Sequence, residues 1–211
     1  MTIETIVQQY KSIPTTAISD ATEGLNNLHS SIKPLKDTYK ISGRALTVKM
    51  PVGDNLSVLK AIYEAKPGDI IVIDAKGDTY RAIAGDFILG LAKTLEIGGI
   101  VVDGVIRDLE ACKALNFPVF SKGTTMAASG KAGVGEINVP ISCGGVSVNP
   151  GDIIVGDCDG VTVIPKEIEE QVLNDSLEKI EKDEKREASV SGDVNAVKEY
   201  LKNFIAKSAK V

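Results

Sequence analysis

The sequence predicts a mixed α/β fold with a partly parallel central sheet and C-terminal helices. Between residues 80 and 121, segments with strand and helix patterns alternate in the order β-α-β-α-β. The strand segments are short, apolar and rich in β-branched residues, which is typical of a sheet covered by helices. Crossovers of this kind are nearly always right-handed and give parallel neighbouring strands. After residue 166 the composition changes to helix formers with apolar residues on one face.

Apolar periodicity assigns an element to most of the first 121 residues. Apolar positions spaced by three and four residues predict helices, whereas alternation or a short β-branched run predicts a strand. The turn Pro67-Gly68-Asp69 leads into one such run, IIVID. The predicted helices are 1–12, a short one from Ser19 or Asp20 towards Gly24, 55–65, 86–96 and 108–115, and the predicted strands are 43–50, 70–74, 80–84, 99–103 and 118–121.

The next part of the chain is rich in turn residues. The glycine-rich stretch 123–135, GTTMAASGKAGVG, is predicted to be a loop, and four short strands follow in NVPIS, GVSV, DIIVGD and GVTVIP. The stretch KPGDIIVIDAKGD at 66–78 resembles NPGDIIVGDCDGV at 149–161, which indicates two related strand-and-turn units. Two units are too few for a solenoid, so we interpret the likeness as shared turn chemistry.

Residues 166–211 are predicted to form a helical extension to a domain that spans residues 1–165. The first helix of the extension has apolar residues at 168, 172, 173, 177 and 180. Ser191-Gly192 breaks the pattern, and Asp193 is the expected N-cap of a second helix. The apolar stripes of both helices need a cover, from the same domain or from a neighbouring subunit.

The composition excludes several classes of function. The net charge of −5 is spread along 211 residues, there is no Trp, and no basic cluster alternates with aromatic residues, so we expect no nucleic-acid partner. No apolar stretch has the length that crosses a bilayer, and the polar N-terminus lacks the pattern of a signal peptide. We therefore expect a cytoplasmic protein without a membrane partner. The three cysteines lack paired spacing, which predicts reduced thiols rather than disulfides or a zinc cluster.

The single histidine, His29, restricts the chemistry further. A Ser-His-Asp site would need it, and no strained nucleophile turn accompanies it in the sequence. We interpret His29 as an exposed loop residue. Catalysis then falls to carboxylates, Arg, Lys and a bound ion.

Two junctions between a strand and a helix carry residues suited to chemistry, AGDFILG at 84–90 and DGVIRD at 103–108. One crossover separates them, so both are predicted at the carboxyl edge of the same parallel sheet, where ligands usually bind. A helix that starts after Gly85 offers backbone N–H groups at Asp86, Phe87 and Ile88 to a carboxylate. Arg107 offers a bidentate fork, and Asp108 offers an oxygen ligand for Mg²⁺ or Mn²⁺.

A plainer interpretation of these residues stands beside the catalytic one. Asp86 and Asp108 are both well placed as helix N-caps, which is a very common role. Arg107 can pair with either of them at the surface. The spacing alone does not separate the two interpretations.

Asp86 is followed, after twenty intervening residues, by Arg107-Asp108, and the surrounding segments carry a resemblance to a known family. These segments are GGIVVDGVIRDLEACKALNFPVFSKG, the later PGDIIVGDCDGVTVIP and the early TTAISDA. Together they resemble the RraA-like family over most of residues 15–165. That family contains class II 4-hydroxy-4-methyl-2-oxoglutarate aldolases and the regulator of ribonuclease E activity.

The resemblance implies a fold, an assembly and a role for each site residue. The fold would be a β/β/α swivelling sandwich, and the assembly a homotrimer or homohexamer with sites near subunit interfaces. Gly85, Asp86, Phe87 and Ile88 would form the substrate-binding turn. Arg107 would contact the substrate and stabilise an enolate, Asp108 would bind the metal, and Asp86 would position a catalytic water. Some aldolases of the family add a carboxylate from a neighbouring C-terminal region, and no single residue of 166–211 matches it.

The function implied is that of a divalent-metal-dependent lyase that forms pyruvate through an enolate. Its substrate would be a small 2-oxo acid, either a 4-hydroxy-4-methyl-2-oxoglutarate-like aldol or oxaloacetate, which would be decarboxylated. The alternatives are a regulatory protein-binding module, as in the ribonuclease regulator, and a structural oligomer with an unused site.

Overall fold

The computed structural model describes residues 3–131, 133 and 135–208. Its helices are α1 (Ile3–Tyr10), α2 (Thr15–Ala21), α3 (Leu56–Glu64), α4 (Asp86–Thr94), α5 (Leu109–Leu115), α6 (Glu169–Val190) and α7 (Val194–Ser208), with a 3₁₀ turn at Lys166–Ile168. The strands of the first half are β1 (Lys33–Pro34), β2 (Ile41–Lys49), β3 (Ile70–Asp74), β4 (Arg81–Ala82), β5 (Gly99–Val102), β6 (Val105–Ile106) and β7 (Val119–Ser121). Those of the second half are β8 (Gly123–Thr124), β9 (Ala127–Ala128), β10 (Glu136–Ile137), β11 (Ile141–Cys143), β12 (Val146–Val148), β13 (Ile153–Gly156) and β14 (Val161–Ile164).

The main sheet has the strand order β1-β7-β5-β3-β2-β13-β14, and β10 pairs with the end of β2. Strands β2, β3, β5 and β7 are parallel, whereas β1, β13 and β14 are antiparallel to their neighbours. Every residue of β3 is buried, because this strand lies at the centre of the sheet with both faces covered. The predicted partly parallel α/β fold is confirmed.

Alternate residues of β3 point into two different cores. Ile71 and Ile73 pack in a cluster with side chains of α3, α4 and α5. Ile70 and Val72 face the opposite side, where they pack with residues of the β11–β12 hairpin. Helices, main sheet and a second β layer therefore form the β/β/α sandwich that the resemblance implied. Each fully buried Ile or Val side chain contributes roughly 1.5–3 kcal/mol to folding.

The first part of the helical extension packs on the same chain. Val172 and Leu173 of α6 lie in a third apolar cluster with residues of α1, α2, β13 and β14. Tyr10 donates its hydroxyl hydrogen to the carbonyl oxygen of Glu169 over 2.6 Å, and the Glu169 carboxylate pairs with Arg44. Helix α7 contacts α6 and leaves a stripe of large apolar side chains exposed.

The predicted turn chemistry is present in both related units and at the α6–α7 break. Asp69 and Asp152 each accept a hydrogen bond of 2.8 Å from the backbone N–H three residues earlier, and the glycine before each has a positive φ, 84° at Gly68 and 88° at Gly151. Asp193 accepts hydrogen bonds of 2.8 and 3.1 Å from two backbone N–H groups of α7. The N-cap assignment is therefore confirmed.

A second, smaller sheet corrects part of the predicted topology. Strands β8, β6, β4 and β9 form an all-parallel sheet of two-residue strands. The segment 80–84 was expected in the central sheet, and its strand β4 instead pairs with β6 and β9. The chain leaves the main sheet after β5, turns at 103–104 and continues in the small sheet as β6. Two strands also lie within 123–135, where a loop was expected. Strands of two residues are too short to produce a readable alternation.

Helix α2 lies earlier in the chain than predicted. It occupies Thr15–Ala21 rather than a segment that starts at Ser19 or Asp20. Pro14 precedes it, and proline is favoured at helix starts because its missing N–H would have no partner there. Glu23 and Gly24, with φ of 53° and 77°, follow the helix in left-handed conformations that end it. Within the described residues, no helix has the length and hydropathy of a membrane span.

Candidate functional site

The two junctions singled out in the sequence lie side by side at the carboxyl ends of β4 and β6. Ala82 is opposite Val105 in the parallel pair. Beyond it, the backbone N–H of Ile83 donates to the carbonyl oxygen of Val105 over 2.9 Å, and that of Arg107 donates to Ala84 over 3.0 Å. The expectation that the two strand ends are neighbours holds, although they belong to the small sheet rather than to the main one.

All six predicted site residues line one cavity of about 190 Å³. Gly85, Asp86, Phe87 and Ile88 contribute the start of α4, and Arg107 and Asp108 contribute the segment between β6 and α5. The other lining residues are Asn55, Ala82, Ala84, Ala128, Ser129 and Lys131. Two further cavities, of about 220 and 800 Å³, contain none of the six.

Phe87 and Ile88 lie in the first turn of α4, whose backbone N–H groups were the predicted donors to a substrate carboxylate. Phe87 is 74% exposed, and Ile88 is buried in the core under the helices. The first-turn N–H groups of a helix have no partner within the helix, and the helix dipole favours an anion beside them. One of the predicted donors is already engaged, because the N–H of Phe87 donates to Oδ1 of Asp86 over 2.8 Å.

Neither aspartate acts as the helix cap that the plainer interpretation proposed. Asp86 is the first residue of α4, and the N-cap position before it is Gly85, which has no side chain to cap the helix. Asp108 occupies the N-cap position of α5, but its side chain makes no capping hydrogen bond and its backbone is left-handed, with φ 59° and ψ 45°. This conformation is uncommon outside glycine and is enriched at functional sites.

Arg107 does form the ion pair that the plainer interpretation proposed. Its Nε lies 3.2 Å from Oδ2 of Asp108, and each side chain is 42% exposed. Exposed pairs of this kind stabilise proteins by about 1 kcal/mol or less. The pair therefore offers little stability to offset the left-handed backbone of Asp108.

Gly85 is required by the close approach of Asp108. A Cβ at this position would overlap Oδ2 of Asp108 and would lie 3.2 and 3.3 Å from Cγ and Nε of Arg107. The backbone of Gly85 is extended, with φ −133°, so an L-residue could adopt its conformation. A side chain at this position is excluded by the lack of space beside Asp108 and Arg107, and not by the backbone angles.

The carboxylate of Asp108 fits a hard divalent cation. It faces a cavity, is partly exposed, and makes neither a capping hydrogen bond nor any ion pair other than that with Arg107 among the described residues. Mg²⁺ and Mn²⁺ prefer such oxygen ligands and retain several waters, so one or two protein carboxylates are sufficient. Asp86 supplies a second carboxylate in the same cavity.

A different group of potential ligands, Asp157, Cys158 and Asp159, lies between β13 and β14, with ligand atoms within 4.8 Å of one another. The Asp157 carboxylate is already occupied. Oδ2 accepts from the N–H of Thr15 over 2.9 Å, and Oδ1 accepts from the Thr15 hydroxyl over 2.6 Å and from the N–H of Asp159 over 2.9 Å. These bonds explain the arrangement as an anchor for the start of α2.

Cys112 lies behind the site. Its thiol donates to the carbonyl oxygen of Arg107 over 3.1 Å. Burial raises the pKa of this thiol to about 11, and the nearby carboxylates of Asp108 and Asp86 raise it further. Because the raised pKa keeps the group protonated at neutral pH, Cys112 supports the Arg107 backbone as a donor and is not a nucleophile.

Asn55, Ser129 and Lys131 also line the cavity and were not predicted from the sequence. Asn55 precedes α3, and the other two lie in the glycine-rich stretch after β9. The stretch carried one usable signal, since glycine, serine and lysine together are typical of anion-binding loops. Nothing in the local pattern indicated that it returns to the ends of β4 and β6.

Comparison with known proteins gives matches over most of the chain. The family model described as RraA-like, Aldolase/RraA, matches residues 15–163. A protein of Halalkalibacterium halodurans, provisionally named a 4-hydroxy-4-methyl-2-oxoglutarate aldolase, is 61% identical over 202 residues, which cover 96% of both chains.

Two similar solved structures share the fold. RraAS2 of Streptomyces coelicolor, described as an unusual member of the RNase ES inhibitor RraA family, has a TM-score of 0.79 and 26% identity and covers 88% of this chain and 98% of its own. The RNA-processing inhibitor RraA of Thermus thermophilus has a TM-score of 0.66 and 29% identity and covers 72% of this chain and 92% of its own.

Proposed function

The chain belongs to the RraA-like family and is 61% identical to a relative that is provisionally named an aldolase. From this premise we propose that it is a divalent-metal-dependent lyase that forms pyruvate through an enolate. Its substrates are 4-hydroxy-4-methyl-2-oxoglutarate-like aldols, oxaloacetate, or both. The proposal is supported mainly by one observation: Arg107, Asp108 and the N-terminus of α4 line the same cavity.

The start of α4 binds the carboxylate of the 2-oxo acid. Gly85 leaves room for close approach, and the first-turn N–H groups with the helix dipole favour an anion there. When the carboxylate takes the N–H of Phe87, Oδ1 of Asp86 loses its present donor. Asp86 is then free to hold the water that carries the proton.

Arg107 stabilises the negative charge that develops on the 2-oxo oxygen. A guanidinium presents two parallel N–H donors, so it can hold an enolate oxygen and a carboxylate oxygen in one plane. Lys131 adds a second cationic side chain to the cavity wall. A cavity of about 190 Å³ with two cations suits a small anionic oxo acid.

Asp108 is the residue that would hold the metal ion. When bound, Mg²⁺ or Mn²⁺ supplies Lewis-acid polarisation of the 2-oxo group. The protein's own contribution is the placement of Asp108 against Gly85 and Arg107.

The proposal is tested without knowledge of the natural substrate, because each reaction considered passes through pyruvate enolate. An enzyme that protonates this enolate also removes a proton from the pyruvate methyl group, by microscopic reversibility. We expect protein with Mg²⁺ in D₂O to remove the methyl proton signal of pyruvate by NMR, and we expect EDTA to reduce exchange to the background rate. Asp86→Asn is expected to slow exchange more than it weakens pyruvate binding.

Free Mg²⁺ without protein is the control for this experiment. If the protein shows neither methyl-proton exchange nor oxaloacetate decarboxylation above that control, the lyase proposal is refuted. The regulatory interpretation, which the likeness to the RraA inhibitors supports, would then replace it.

We also propose that the protein assembles as a trimer or hexamer. Large apolar side chains are exposed on α7, at Val194 (68%) and Ile205 (65%), and beside the site, at Phe87 (74%) and Met126 (95%). Exposed apolar patches of this kind mark interaction surfaces. Light scattering at micromolar concentration is expected to give three or six times the chain mass of 22.3 kDa. A monomer mass would contradict this proposal.

A further inference from the structure

Asn55 lines the site cavity, and its side-chain oxygen has no hydrogen-bond partner. The residue is only 5% exposed. Its Nδ2 donates to the carbonyl oxygen of Ile83 over 2.9 Å, just before the Gly85 turn, and its backbone N–H donates to Gly130 over 3.0 Å. The amide orientation follows from the Ile83 bond, because only the nitrogen can donate to a carbonyl. Oδ1 is therefore the remaining atom, and it is buried without a hydrogen-bond partner.

Ser129 also lines the cavity and carries a second oxygen of this kind. Its Oγ is also buried without a partner, and the residue precedes Gly130, whose carbonyl accepts the N–H of Asn55. A buried polar atom left without a partner costs about 1–3 kcal/mol. Two of them in one small cavity indicate that a ligand supplies the missing hydrogen bonds.

The chemistry of the two oxygens specifies the ligand group. An amide oxygen only accepts hydrogen bonds, and a serine hydroxyl both accepts and donates. A carboxylate or ketone cannot donate to Asn55, whereas an alcohol can donate to Asn55 and accept from Ser129. The pair thus fits a hydroxyl group and does not fit a second carboxylate.

We propose that Asn55 and Ser129 form a hydroxyl-binding subsite that selects 4-hydroxy-2-oxo acids over oxaloacetate. The inference rests on the proposed lyase function. In the retro-aldol reaction the C3–C4 bond breaks, its electron pair forms the pyruvate enolate, and the C4 hydroxyl becomes a carbonyl. For cleavage the hydroxyl hydrogen turns from Asn55, which cannot take the proton, and passes to the water held by Asp86; a proton returned to C3 completes pyruvate. Oxaloacetate has a carboxylate at C4 and no hydroxyl there, so it leaves both oxygens without a matching partner.

Ser129→Ala tests the subsite, because it removes only the Oγ atom and breaks no hydrogen bond of the described structure. We expect kcat/KM for 4-hydroxy-4-methyl-2-oxoglutarate cleavage to fall about 5- to 10-fold more than kcat/KM for oxaloacetate decarboxylation, as for one lost neutral hydrogen bond. The Tm is expected to stay constant or rise, since a buried polar atom without a partner is removed.

Ser57→Ala is the matched control. The Ser57 Oγ is likewise buried without a partner, two residues after Asn55, but it does not line the cavity. This variant is expected to leave the ratio of the two activities unchanged. An unchanged ratio in Ser129→Ala as well, in an active enzyme, overturns the subsite. A wild-type protein inactive in both reactions overturns the lyase proposal itself, and the subsite with it.

Discussion

Arg107→Lys is expected to lower kcat/KM for pyruvate formation at least ~100-fold, about 2.7 kcal/mol of transition-state stabilisation. Lysine keeps the positive charge but replaces a planar pair of donors by a point charge, so it cannot hold two substrate oxygens together. The Tm is expected to change little, because the ion pair of Arg107 with Asp108 is 42% exposed on both sides. Steady-state kinetics with oxaloacetate, with differential scanning calorimetry on the same samples, measure both effects.

Arg81→Lys is the matched control for this variant. Arg81 lies on β4 and donates from one guanidinium nitrogen to the Ala128 carbonyl oxygen over 3.0 Å, but it does not line the cavity. We expect its activity to stay within about twofold of the wild-type value, because the Arg81 side chain is exposed and the residue does not line the cavity. Near-normal turnover of Arg107→Lys would return Arg107 to the role of a surface ion-pair partner.

The elements that were predicted correctly from the sequence are those in which burial requires a regular pattern of apolar residues. The segment 70–74 is buried on both faces, so its run of β-branched residues is continuous and its bounds were predicted correctly. Strands β4, β6, β8 and β9 have two residues each, and their positions follow from pairing with one another rather than from local pattern. The small sheet was therefore missed, and its strands were assigned to the main sheet or to a loop.

The candidate site shows the same division between local and distant determinants. Asp86, Arg107 and Asp108 were singled out because they lie at junctions between a predicted strand and a predicted helix, and the resemblance to the RraA-like family implied their roles. The positions of Asn55 and Ser129 in the cavity wall depend on contacts between segments that are distant in the sequence, such as the hydrogen bond from Asn55 to Ile83. The left-handed backbone of Asp108 could not be predicted either, because this conformation is uncommon for residues other than glycine.

Gly85→Ala is expected to lower kcat/KM for oxaloacetate decarboxylation by ~100-fold, the loss typical of a displacement of about 1 Å in a site. The added methyl group would overlap Oδ2 of Asp108 and crowd Cγ and Nε of Arg107, so both side chains must move. Displacement of Asp108 also weakens the metal site, and the Mg²⁺ concentration for half-maximal activity is expected to rise. The backbone angles of Gly85 suit alanine, so the variant is expected to fold, with an unchanged far-ultraviolet circular dichroism spectrum.

Gly90→Ala separates a local steric effect from a general effect on helix α4. Gly90 lies in the same helix, and a Cβ at this position meets no atom within 4 Å. Alanine there is expected to raise the free energy of unfolding by roughly 0.5–1 kcal/mol, because glycine loses more conformational entropy in a helix. Its activity is expected to equal that of the wild type. If Gly85→Ala were as active as Gly90→Ala, the contact between Gly85 and Asp108 would have no role in catalysis, and the assignment of the metal to Asp108 would lose its main geometric support.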